Sequence, residues 1–168
     1  MKTKNIRKQI QEALIQELGD TTDAYPYKES YKDVGSEHFL LEYIFETGKG
    51  TLYKVRISYK MPMSDEFIYV NFVANQSYDT VNEGTMFRSI ATVIRIISDF
   101  WLHISETLSD AAQPFSYIHR IDGFEFSVVE KGVSPQDSAR FKIYRAFIKK
   151  QFPSATVQVR RDVVSVVP

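Results

Sequence analysis

The sequence predicts an α+β fold with a mainly antiparallel sheet and the element order α-β-β-β-α-β-α-β. Two observations support this prediction. Side chains in residues 51–60 alternate between two faces, which is the two-residue period of a half-buried strand. Apolar residues in 87–108 instead recur every three and four positions, as in a helix buried along a wide stripe. A chain of 168 residues is long enough to bury one core, so we expect a single domain over 1–168.

The first half of the chain is predicted to supply a helix, a loop and three strands. Isoleucine and leucine recur every four residues in 4–18 before Gly19, which predicts an amphipathic helix. The next residues have no clean period and collect turn-forming residues, which is typical of a loop. The three strands are expected at residues 38–46, 51–60 and 66–74. The predicted organisation is an N-terminal helix in 1–18, a loop over 19–36 and an α+β core over 37–168.

The second half is predicted to supply a short strand, a helix and a final strand. Gly123 precedes the apolar strand 124–130. Residues 134–137 read Ser-Pro-Gln-Asp, which is a helix start with a capping serine, proline in the first turn and an acid behind it. Pro153 ends that helix, and valines at alternating positions predict a strand in 155–167.

Composition excludes several classes of protein. The 21 basic and 21 acidic residues cancel, so no long-range field of the whole protein favours nucleic acid or anionic lipid. The chain has no cysteine, which suits a reducing compartment, and we expect a cytoplasmic protein without a membrane segment. The three histidines lack ligand spacing, so we predict no metal site.

The charge is nevertheless uneven along the chain. From Lys131 onward the net charge is +6, and the rest of the chain carries −6. This asymmetry predicts an anion-binding face on the last helix, formed by Arg140, Lys142, Arg145 and Lys149. Tyrosines in 25–31 would be available to stack on a base, which makes a nucleotide or single-stranded nucleic acid a candidate guest. The alternative is that the basic residues are simply solvated.

The order of elements resembles the GNAT-type acyltransferase fold, in which the loop before the long helix cradles the pyrophosphate of acetyl-CoA. The resemblance implies that acetyl-CoA would bind at Asn82, Gly84, Thr85 and Met86. The matching stretch keeps one glycine and places Glu83 where the diphosphate would lie. A carboxylate repels a diphosphate, so this departure favours a protein without the acyltransferase reaction.

The resemblance also implies a catalytic residue in the last helix. GNAT enzymes often carry a tyrosine there as general acid for the departing CoA thiolate, and Tyr144 matches that position. Tyr144 also falls on the apolar stripe of the helix with Phe141 and Ile148, which is the pattern of a core side chain. Both interpretations of Tyr144 stay open at this stage.

A closer resemblance is to a group of uncharacterised tailed-bacteriophage proteins. It rests on the segments 84–94 and 138–144 and spans roughly residues 50–153. It implies a phage or prophage origin without a mechanism. We therefore expect a phage-associated GNAT-like protein that binds a protein partner or a phosphate-containing ligand without catalysis. The alternatives are an acetyl-CoA-dependent N-acyltransferase and a virion structural or assembly protein, for which the 14% aromatic content would suit an oligomer interface.

Overall fold

The computed structural model describes residues 23–60, 66–74, 86–109, 121–127 and 139–168. Within these ranges the strands are β1 (Tyr27–Val34), β2 (His38–Glu46), β3 (Leu52–Lys60), β4 (Phe67–Ala74), β5 (Gly123–Ser127), β6 (Thr156–Arg160) and β7 (Val163–Val167). The helices in the same ranges are α1 (Met86–Leu102), α2 (Ile104–Ser109) and α3 (Ala139–Gln151). The α+β class predicted from the sequence is confirmed. The predicted N-terminal helix in 1–18 lies outside the described residues.

The described strands pair into one sheet in the order β1-β2-β3-β4-β5-β7-β6. Neighbouring strands run antiparallel, except that β4 and β5 run parallel. The parallel register extends from Phe67 opposite Gly123 to Val70 opposite Phe126. A parallel pair requires a crossover connection, and α1 and α2 lie within that connection.

The predicted element order was wrong. Residues 19–36, interpreted as a loop, contain strand β1, so four described strands precede α1 instead of three. Residues 155–167, predicted as one strand, form the hairpin β6–β7. The order α-β-β-β-α-β-α-β, from which the GNAT-like fold was inferred, is therefore not the order of the structure.

Both errors have a physical cause. Strand β1 lies at the sheet edge, where most of its side chains are exposed, and its register shifts between Glu29 and Tyr31. With exposed side chains and a shifted register, the sequence of β1 does not show the alternating apolar pattern of a half-buried strand. The β6–β7 turn contains no glycine, and Arg161 takes the positive φ of 56° itself. A non-glycine residue seldom adopts that conformation, so no turn signal was visible.

The core lies on one face of the sheet beneath α1 and α3. Buried side chains from four strands point to this face: Leu41, Ile57, Ile68 and Phe124 are each fully buried. Trp101 of α1 and Phe152, just after α3, both contact the ring of Phe124, with centroids 6.2 and 5.8 Å away. The long apolar stripe predicted for 87–108 is confirmed in α1, although the helix breaks at His103 before α2. The outer side of α3 is therefore left facing away from the sheet.

Candidate functional site

Helix α3 carries the residues predicted to bind an anion. It contains no carboxylate and five cations, Arg140, Lys142, Arg145, Lys149 and Lys150. Its inner face is buried through Phe141, Tyr144 and Ile148. Lys142, Arg145 and Lys149 follow one another at three- and four-residue steps, so they share the opposite face of the helix. The structure thus brings three of the four predicted residues together, while the side chain of Arg140 lies outside the described part.

Helix α3 has no carboxylate to balance its cations, whereas several cations elsewhere in the described residues form ion pairs with carboxylates. On α1, the Nε of Arg95 lies 3.0 Å from the carboxylate of Asp99, four residues later. On the sheet, the carboxylate of Glu42 forms ion pairs with Lys54 and Arg56 of β3. Arg145 and Lys149 instead form a like-charged pair at four-residue spacing, which destabilises a helix by about 0.2–0.5 kcal/mol. A bound anion would relieve this repulsion.

Lys149 also stabilises the end of α3. Its Nζ donates a hydrogen bond to the carbonyl of Ala155, just before β6. The backbone N–H of Phe152 donates to the carbonyl of Ile148 at 2.7 Å and extends the helix end. A cation near a helix C-terminus is favoured by the helix dipole, which accounts for Lys149 without a ligand. The exposed Arg145 and half-buried Lys142 have no such explanation in the described residues.

The segment that leads into β1 is fastened to one side of α1. The guanidinium of Arg88 lies over the ring of Tyr25, 4.1 Å from its centroid. The backbone N–H of Tyr25 donates to the hydroxyl of Thr92 at 2.8 Å. Two turns further along α1, the carboxylate of Asp99 accepts a hydrogen bond from the hydroxyl of Tyr27. Burial, followed by this carboxylate, raises the pKa of Tyr27 well above its usual range.

The tyrosines predicted to stack on a base are mostly used inside the fold. Tyr25 is 7% exposed and stacks on Phe45, with ring centroids 5.9 Å apart. Tyr27 is half-buried and meets Tyr43 edge to face. Burial also raises the pKa of Tyr43 to about 12, with a contribution from the charge of Glu29. Tyr31 alone of the predicted three is exposed, and it lies on the edge strand.

A cleft of about 240 Å³ lies between α1, α3 and the segment that precedes β1. Its floor is apolar and consists of Ala91, Ile94 and Phe147, all buried. Charged side chains from the three segments line its rim. Sequence patterns did not reveal this cleft, because its residues come from distant parts of the chain and meet through the packing of α1 on α3.

Tyr144, the predicted catalytic residue, lies in the core beneath α3. It is 1% exposed. Its ring centroid lies 5.8 Å from that of Phe72 on β4 and 5.0 Å from that of Phe126 on β5. The side chain thus packs over the parallel strand pair. This burial favours the core interpretation, and a catalytic role for Tyr144 stays a prediction.

The predicted acetyl-CoA site is largely outside the described part of the chain. Asn82, Gly84 and Thr85 fall there, so their role stays a prediction. Met86 is the first residue of α1 and packs, partly buried, against the core.

The histidines make local contacts. His38 lies 3.3 Å from the carboxylate of Asp33, and the Nδ1 of His103 contacts the carbonyl of Asp99 at 2.9 Å. His119 is outside the described residues. Over the described ranges, no three potential metal ligands from histidine, aspartate or glutamate gather in one place. None of the helices in those ranges is both long and apolar enough to cross a bilayer.

Comparison with family models, with curated proteins and with solved structures finds no match in any of the three. The fold and the composition of α3 define the class of protein as an α+β domain with a basic outer helix. The resemblance to tailed-bacteriophage proteins stays a prediction.

Proposed function

We propose that this protein acts by binding a phosphate-bearing ligand along the outer face of α3, without catalysing a reaction. The observation that supports it is the composition and placement of α3. The helix carries five cations and no carboxylate, and Lys142, Arg145 and Lys149 share the face turned away from the core. Phosphate oxygens are strong acceptors for lysine and arginine donors, so this face is complementary to phosphate.

The ligand we propose carries several phosphates in a row. Lys142 and Lys149 are seven residues apart, which is about 10 Å along a helix of 1.5 Å rise per residue. A single small anion cannot contact the whole face, whereas a phosphodiester chain can. A nucleic-acid strand is the natural ligand of this shape and charge.

Binding of this kind depends on charge more than on base identity. Tyr25 and Tyr27 are engaged within the fold, so they provide no stacking platform. Phosphate contacts carry no sequence information directly and weaken steeply with salt. We therefore expect sequence-independent binding with a Kd on the order of 1–100 µM at physiological salt.

Fluorescence anisotropy with a labelled oligothymidylate tests the proposal. The double variant Lys142→Gln/Arg145→Gln removes two charges from the outer face of α3. The control Lys28→Gln/Lys49→Gln removes two charges from exposed positions elsewhere. We expect the α3 variant to bind about tenfold more weakly and the control to bind like the wild type. Equal weakening in both variants would refute a site on α3.

N-acyl transfer is a second candidate, and one observation favours it. Tyr144 packs over β4 and β5, the parallel pair among the described strands. Ligands of open sheets with parallel strands often bind beyond the carboxyl ends of those strands. This candidate needs a substrate to reach Tyr144, which is 1% exposed. We propose in addition that the protein works in the cytoplasm of a phage host, which the absence of cysteine suits.

A further inference from the structure

The cleft between α1 and α3 differs in kind from the outer face of α3, because its rim carries both signs of charge. Arg95 of α1 and Lys150 of α3 contribute positive charge, and Asp23 contributes negative charge. All three residues are exposed, while the floor beneath them is apolar. A small ligand in this cleft would meet a cation-rich side, an anionic side and an apolar base.

Arg95 is held in place while keeping donors for a ligand. Asp99 contacts its Nε, at 3.0 Å from one carboxylate oxygen and 3.2 Å from the other. A guanidinium has five N–H donors, so its two terminal nitrogens can still donate to a carboxylate. The side chain of Arg95 is 54% exposed, which makes those nitrogens accessible. Asp99 therefore orients Arg95 through Nε and leaves the N–H groups of its terminal nitrogens able to donate to a ligand.

We propose that this cleft binds a free α-amino acid with an apolar side chain. Arg95 and Lys150 contact its carboxylate, Asp23 contacts its ammonium group, and the side chain lies on Ile94 and Phe147. A simple carboxylate would leave Asp23 as a repulsive neighbour, and a simple amine would meet two like charges. The combination of charges therefore selects a zwitterion.

The size of the cleft agrees with this class of ligand. Pockets for drug-sized ligands have volumes of about 300–1,000 Å³. At about 240 Å³ the cleft is smaller than that range. A nucleotide cofactor would not fit within it, whereas a single amino acid has the appropriate size.

Isothermal titration with three related compounds tests the proposal on the full chain. Phenylalanine carries both charged groups, 3-phenylpropionate lacks the amine, and phenethylamine lacks the carboxylate. We expect phenylalanine to bind at least about tenfold more tightly than either analogue. None of these probes is a polyanion, so the result does not depend on polyanion binding at α3.

Two variants assign the contacts. Asp23→Asn is expected to remove the preference for phenylalanine over 3-phenylpropionate. Lys150→Gln is expected to reduce the preference for phenylalanine over phenethylamine. The control is Lys49→Gln, which changes an exposed residue of the β2–β3 turn. This variant should bind all three compounds like the wild type. Equal affinities for the three compounds, no binding of phenylalanine, or unchanged preferences in Asp23→Asn would each overturn the proposal. Circular dichroism of each variant confirms that it is folded.

Discussion

The hydroxyl of Tyr27 donates a hydrogen bond to the carboxylate of Asp99, and this contact joins edge strand β1 to helix α1. Asp99 also holds Arg95, whose guanidinium lies on the rim of the cleft. One carboxylate thus links the attachment of β1 to the geometry of a candidate binding site.

Replacing Tyr27 tests that link. Tyr27→Phe removes the donor, and hydrogen bonds to charged groups contribute about 1.5–3 kcal/mol. We expect the free energy of unfolding to fall by about 1.5 kcal/mol, since Arg95 still pairs with Asp99. Tyr43→Phe is the matched control, because Tyr43 touches Tyr27 and makes no side-chain hydrogen bond in the described residues. Its stability should stay within about 0.5 kcal/mol of wild type in urea titrations. Equal losses in the two variants would show that the Tyr27 hydroxyl has no special role.

Glu42 should contribute to the acid sensitivity of the fold. Burial opposes its ionisation, but hydrogen bonds from Arg56 at 2.6 Å and from Lys54 outweigh that effect and lower its pKa. A group whose pKa is lowered in the folded state stabilises the fold above its unfolded pKa of about 4.3. That stability is lost as the pH falls through the folded pKa.

Glu42→Gln should therefore lose less stability on acidification than the wild type. We expect the two free energies of unfolding to differ most near neutral pH and to converge as the pH falls through the lowered pKa of Glu42. Arg56→Gln should flatten the acid dependence in the same direction, because it removes the strongest partner. A constant difference between wild type and Glu42→Gln from neutral to acidic pH would contradict this role.

Gly123 is expected to tolerate no side chain. It lies in β5 between β4 and β7, and an added Cβ would collide with the backbone carbonyl of Val166 and lie 2.9 Å from Cε1 of Phe67. Backbone cannot move aside as a flexible side chain can. We expect Gly123→Ala to destabilise by about 1–3 kcal/mol in thermal or urea unfolding. Gly48→Ala is the control, since an added Cβ there meets nothing within 4 Å, and no loss is expected. Similar stabilities for the two variants would count against the packing of β5 described here.

Tyr144 should behave as a core residue. Its ring packs against Phe72 and Phe126 and is 1% exposed, so Tyr144→Ala is expected to cost about 3–5 kcal/mol, as for other large aromatic truncations. Tyr31→Ala, at a side chain that is 48% exposed, should cost far less. If Tyr144→Ala kept wild-type stability but abolished acetyl transfer to an amine, the catalytic interpretation would replace the core one.

The elements that the sequence predicted are those whose burial follows a regular period. In α1, Ile90, Ile94 and Ile97 all face the core, and their three- and four-residue spacing is visible without a structure. In β3, Val55 and Ile57 are buried at alternate positions, which gives the two-residue period. Local spacing is enough to identify such elements.

The parts that the sequence did not predict depend on long-range packing or on unusual backbone. Strand β1 is stabilised by contacts such as Tyr27 to Asp99, 72 residues away, and not by its own apolar pattern. The β6–β7 turn relies on Arg161 in a conformation usually reserved for glycine. Of the two candidate binding surfaces, only the basic face of α3 could be predicted from the sequence, because its cations are visible in the charge pattern. Lys150 and Arg95 meet at the cleft through the packing of α1 on α3, which no local pattern encodes.

The salt dependence of oligothymidylate binding tests the proposed function most directly. For a single strand, log Kobs falls with log salt concentration with a slope of about −0.7 for each phosphate neutralised. We expect Lys142→Gln/Arg145→Gln to make this slope shallower by about 1.4 relative to the wild type, because two phosphate contacts are lost. The Lys28→Gln/Lys49→Gln control should keep the wild-type slope. A wild-type slope in the α3 variant, or no binding by the wild type at low salt, would contradict phosphate binding along α3.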